Sequence, residues 1–103
     1  MATVIDITGK IKNEEKFIVY DGKTYKVDDR KNTIVKVFAI IDSATGASVE
    51  MIDQVMEILL GKDAVKDFEG FSYDDYLVPF FAAMACVQNK SYEEVESSFR
   101  ETK

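Results

Sequence analysis

A chain of 103 residues with 47% hydrophobic side chains supports one small globular domain and little more, because chains of this length bury only about 60–70% of the surface they expose when unfolded. It contains no histidine and a single cysteine, which removes the usual general base near neutral pH and the commonest metal ligand, and rules out an internal disulfide or a thiolate metal cluster. The net charge of −6 is uneven: residues 1–47 carry eight basic and seven acidic side chains and residues 48–103 five and twelve, so the C-terminal half would repel the phosphates of nucleic acid.

The opening MATVIDITGK has an early acid and no continuous apolar stretch, so it does not read as a secretory signal, and a reducing cytoplasm is the expected compartment. Residues 3–27 read as the β region. TVIDIT and KIK lean to strand around Gly9, and FIVY and KTYKV flank Asp21-Gly22. Asp-Gly suits the positive φ angles of a type I′ turn, which predicts a hairpin with Ile18 opposite Tyr25. Lys10, Lys12, Lys16, Lys23 and Lys26 would line these strands and discourage stray edge pairing.

Residues 30–44, RKNTIVKVFAIIDSA, fit two descriptions. Ile34, Val35, Val37, Ile40 and Ile41 favour a strand, whereas Ile34, Phe38 and Ile41 also form a helical stripe. Fifteen residues is long for a strand and Asp28 and Asp29 can cap a helix start, so helix is the choice.

From Ser48 the pattern sharpens. Ser48 is an N-cap candidate, Val49, Ile52, Val55, Met56 and Leu59 recur at helical spacing, and Gly61 follows as a stop; Met51 and Ile58 widen the apolar surface beyond one face. Residues 62–68 read as a short helix or turn ending near Gly70. A further helix is expected from Ser72 to about Asn89, with Asp75 reaching back toward the cap and Pro79 kinking it about two turns in. Within it, YLVPFFAAMACV (residues 76–87) carries no charge; twelve residues are too few to cross a bilayer, which takes about 20. The last helix starts at Ser91 with Glu94 three residues on, a capping box; Tyr92, Val95 and Phe99 line one side and Glu96 with Arg100 forms an i,i+4 pair. The result is one α+β domain over residues 1–103, an antiparallel hairpin or meander followed by a bundle of about four helices over residues 30–101.

Six of the twelve aromatic residues, Phe68, Phe71, Tyr73, Tyr76, Phe80 and Phe81, fall within fourteen positions. Phe68, Phe71 and Phe80 read as core. Tyr73, Tyr76 and Phe81 divide evenly between core and a docking face, because a small domain rarely covers every side of a helix that is apolar around most of its circumference. Met51, Met56 and Met84 lie on the same helices, where flexible thioethers suit either a core or an adaptable surface. Glu93, Glu94 and Glu96 read as a solvated helix face, Asp28-Asp29 and Asp74-Asp75 as helix-start carboxylates, and Cys86 as a small hydrophobe. The glycines at 9, 22, 46, 61 and 70 are isolated and build no phosphate loop, and no nucleophile–base pair stands out. The expectation is a protein that is not an enzyme and takes no cofactor or metal.

The order of elements, with DGKTYKVDD, then MIDQVMEILLGKDAVKDF, then FSYDDYLVPFFAAMACVQNKSYEEVESSFR, resembles the tail assembly chaperones of long-tailed bacteriophages and prophages over about residues 17–101. The resemblance implies a small protein of the host bacterial cytoplasm, absent from the mature virion, that coats and solubilises the tape measure protein while the tail is built. A longer product made by programmed frameshift would recruit tail tube protein, and copies would self-associate. No discrete site comes with it. The partner-binding residues expected here are Met51, Val55, Ile58, Tyr73, Tyr76 and Phe81, on the helices at 49–60 and 73–88, acting without membrane or nucleic acid. Two other readings stand beside it: a structural head–tail joining or tail-completion protein, and an unrelated acidic binding module or chaperone similar to those of secretion systems.

Overall fold

The computed structural model describes residues 2–12, 14–44 and 48–101, without the side chains of the last two. Its elements are a hairpin, β1 (Lys16–Tyr20) and β2 (Lys23–Val27), followed by five helices: α1 (Lys31–Ser43), α2 (Val49–Leu60), α3 (Lys62–Asp67), α4 (Tyr73–Gln88) and α5 (Tyr92–Glu101). Asp21 and Gly22 take φ of 50° and 77°, the pair of positive values a type I′ turn requires. Pairing runs from Tyr20 with Lys23 to Lys16 with Val27 and sets Ile18 opposite Tyr25. Tyr25 and Val27 turn inward and are buried, while Phe17 and Val19 on the other face stay exposed.

The ambiguous stretch after the hairpin is a helix. It starts at Lys31 without a side-chain cap, because Asp28 lies two residues before the N-cap position, Arg30, and is engaged there: its carboxylate accepts from the Arg30 backbone N–H at 3.2 Å and from two guanidinium nitrogens, each at 2.9 Å. α2 starts where expected, with Ser48 Oγ accepting from the Met51 N–H at 3.1 Å. It buries Met51, Ile52, Val55, Met56 and Leu59 and stops at Gly61, whose φ of 95° favours glycine. The Asp28 N–H donates to the Leu59 carbonyl at 2.9 Å, fastening the end of β2 to the last turn of α2.

α4 forms the centre of the bundle. Ser72 Oγ accepts from the Asp75 N–H at 3.2 Å, and Asn89 closes the helix in the left-handed region with φ of 55°. The helix runs through Pro79 without interruption and buries Tyr76, Leu77, Phe80, Phe81, Met84 and Val87 among others. α5 begins with the full capping box: Ser91 Oγ accepts from the Glu94 N–H at 3.1 Å, and the Ser91 N–H donates back to Glu94 Oε1 at 3.3 Å. Val95 is buried, and Tyr92 and Phe99 set their rings 5.9 and 5.1 Å from that of Phe81. The expected pair of Glu96 with Arg100, like Gly46, lies outside the described residues.

Residues 3–12 differ from expectation. They are not strand: Thr8–Lys10 form a single 3-10 turn and the flanking backbone is irregular. The Asp6 carboxylate accepts from the Thr8 N–H at 3.0 Å, a local bond that competes with extended pairing. With no neighbouring strand among the described residues to pack on, the β-leaning side chains have nothing to favour a pleat. Lys10 and Lys12 therefore sit off the sheet. Every described residue from 2 to 12 is exposed, and the molecule measures 61 × 33 × 24 Å with a radius of gyration of 15.8 Å, against about 13 Å for a compact chain of this length.

Candidate interaction surface

The six residues singled out on α2 and α4 are placed in three different environments. Met51, Val55, Tyr76 and Phe81 are buried in the core; Ile58 is half-buried; Tyr73, at the start of α4, is exposed. The reason for the enclosure lies in the architecture. α2 is covered on one side by α1, on another by the hairpin and on a third by α4, and α5 closes over Phe80 and Phe81. Tyr76 also has a polar anchor: its hydroxyl donates to Asp53 Oδ1 at 2.6 Å, bridging α4 to α2. Burial, reinforced by that carboxylate, pushes the phenol well above its ordinary value.

The hairpin is tied down by charge at both ends. Lys16 Nζ donates to the Cys86 carbonyl and to Asn89 Oδ1, each at 2.7 Å, and pairs with Asp29 at 3.3 Å, linking β1 to the last turn of α4. At the turn, Asp67 accepts from Lys23 Nζ and, at 2.9 Å, from the Tyr25 hydroxyl; these two bonds, Lys23 first, hold its carboxyl below the usual range. The Arg30 guanidinium draws the Asp28 carboxyl down to about 2. Burial raises the Cys86 thiol above its ordinary value, which disfavours the nucleophilic thiolate.

Among the grooves on the described surface, one of about 400 Å³ is lined by Asp53, Phe71, Tyr73 and Tyr76, and two others flank the hairpin. The larger, about 830 Å³, is lined by Glu15, Lys26, Asp28, Arg30, Glu57 and Leu60 among others; its charges answer one another, with Lys26 on Glu15 at 3.2 Å and Arg30 on Asp28 at 2.9 Å. The smaller, about 300 Å³, runs between β1 and α4 over Val19, Tyr20, Phe71, Val78, Pro79 and Ala82. Apolar surface is also left on α1, which packs through Thr33 and Val37 and turns Val35 and Phe38 outward beside half-buried Ile34 and Ile41. Phe17 and Val19 extend it across the outer face of β1.

Sequence reasoning gave these positions no part in a surface, although one signal was present. FIVY reads as four apolar residues in a row, so a strand carrying it must show apolar side chains on both faces, and a two-stranded sheet can bury only one. On α1 the apolar residues exceed what a single helix neighbour covers.

Among the described residues no helix is long and apolar enough to cross a membrane, and no group of three or more acidic or cysteine side chains is placed to hold a metal ion. No protein-family model matches the chain, and neither the curated proteins nor the solved structures show a match.

Proposed function

We propose that the protein is a non-catalytic assembly chaperone that holds an apolar α-helical client, and that the client is a phage tape measure protein. The observation that carries this reading is the outward face of α1: Val35 is 60% and Phe38 38% exposed, with Ile34 and Ile41 half-buried beside them. Positions i, i+1, i+4 and i+7 form the stripe on which one amphipathic helix receives another. An exposed apolar strip on a chain of net charge −6 can cover a greasy helix and give the complex a charged exterior that resists aggregation. Weak contacts repeated along a long client add up without making release slow. The sequence resemblance to tail assembly chaperones supplies the client and the host bacterial cytoplasm as setting. Tail tube protein would be engaged through a frameshift-extended product.

The test is co-expression with a phage tape measure protein. The client is expected to be recovered soluble only when the chaperone is present, and Val35→Asp with Phe38→Asp is expected to abolish the effect while leaving the circular dichroism of the chaperone unchanged. A client whose solubility does not depend on this chain overturns the proposal.

A further inference from the structure

The exposed N-terminal arm and the free edge of β1 are complementary, and we propose that residues 3–7 of one copy add as a third strand to β1 of a second copy. The inference stands apart from the client reading, since it uses neither α1 nor any helical partner.

The edge offers backbone groups. In a hairpin closed by a two-residue turn, the flanking pair Tyr20 and Lys23 exchanges both hydrogen bonds, and alternate pairs follow, Ile18 with Tyr25 and Lys16 with Val27. The N–H and C=O of Phe17 and Val19 therefore point the other way, along the edge that carries no strand in this two-stranded sheet. An unpaired edge of this kind is a template for another chain. It lacks the usual protection, since Val19 is 71% exposed and neither residue at the edge positions is charged. Beside it lies the apolar groove whose floor is Val78, Pro79 and Ala82 of α4, so a strand laid along β1 would rest on apolar side chains.

The arm offers what the edge lacks. TVIDI is β-leaning, and Val4 and Ile5 are 87% and 75% exposed. Five residues of arm span about 17 Å as a strand, the length of the five-residue β1. Alternation sorts them correctly. Thr3, Ile5 and Ile7 share one face and can meet the α4 floor, while Val4 and Asp6 share the other, where Val4 joins Phe17 and Val19 and Asp6 stays in water. The hydrogen bonds of the described arm residues are local, from Thr8 N–H to Asp6 and from Lys10 and Ile11 N–H to Ile7 and Thr8 carbonyls. They hold a turn between the arm and its own hairpin, and the arm lies exposed rather than paired along its own edge, which leaves it available to a neighbour's. Each copy then carries one donor and one acceptor, so assembly either closes reciprocally or propagates from copy to copy.

The experiment is light scattering after size exclusion on two full-length variants, alone and mixed. Ile5→Asp with Ile7→Asp removes the donor and leaves the edge; Val19→Pro removes an outward-facing N–H, which spares the β1–β2 ladder, and leaves the arm. Both sites are exposed, and circular dichroism and thermal melting check that each variant folds as the wild type does. The wild type is expected to gain mass with concentration, each variant to run as a monomer, and an equimolar mixture to form a one-to-one dimer. A wild type that stays monomeric at all concentrations, which includes the case of an arm folding back on its own edge, overturns the proposal. So does a donor variant that associates as the wild type does, or a mixture that stays monomeric.

Discussion

Tyr76 shows how one polar atom decides between core and surface. The ring lies among apolar side chains and the hydroxyl would be stranded there, yet the 2.6 Å bond to Asp53 satisfies it. Tyr76→Phe keeps the packing and removes the bond, leaving a half-buried carboxylate without its donor, and is expected to cost about 1.5–2 kcal/mol. Urea unfolding checks this: an unchanged midpoint would show that the bond contributes nothing to stability. Asp28 sets a second expectation at the same scale. Its folded pKa of about 2 lies below the ordinary 3.8, so its contribution is fully present above about pH 3.8 and is lost as pH falls through that value toward 2. Stability should decline across that window in the wild type and less steeply in Asp28→Asn. Carbon-detected titration of the Asp28 carboxyl measures the cause directly, and a midpoint near 3.8 would remove the basis of the expectation.

Among the elements, starts and stops were the most legible features, because each depends on a few neighbouring atoms. Ser48, Ser72 and Ser91 cap the helices that follow them, and Asp21-Gly22 closes the hairpin in the expected register. Long-range partners were less so. Residues 3–12 have strand-forming side chains but no strand beside them among the described residues, and propensity alone does not create one. Gly61 allows a clean test of an element boundary. Its φ of 95° and ψ of 162° lie where side chains are strained, while a methyl group there would meet no atom within 4 Å. Gly61→Ala is therefore expected to lose about 1–3 kcal/mol through backbone strain alone. Gly70→Ala, equally open but without a positive φ, should change stability by only a few tenths of a kcal/mol. Equal thermal midpoints for the two variants would locate the stop of α2 in something other than this glycine.

The whole molecule explains why the candidate site was the least legible part. Periodicity reports which side chains are apolar, and α2 and α4 are the most apolar elements; which apolar faces are covered depends on the arrangement of all seven elements. The hairpin, α1 and α5 close over those two helices, taking Val55 and Phe81 out of contact with water and leaving Tyr76 only 8% exposed. Apolar surface reappears on the covering elements, which have neighbours on one side only: Val35 and Phe38 of α1, Phe17 and Val19 of β1. The same arrangement ranks local stabilities. Amides of α2 and α4, surrounded on several sides, should open only with global unfolding and exchange slowest. α1, held chiefly through Val37 and Thr33 against α2, should exchange at an intermediate rate. In dilute solution, below the concentration at which copies associate, amides of residues 2–7 should exchange at the rate of an unstructured peptide. Hydrogen exchange followed by mass spectrometry resolves these three classes, and protection of the arm equal to that of α4 at high dilution would mean that it folds onto its own body, which would contradict both the 61 Å length of the molecule and an arm available to a second copy.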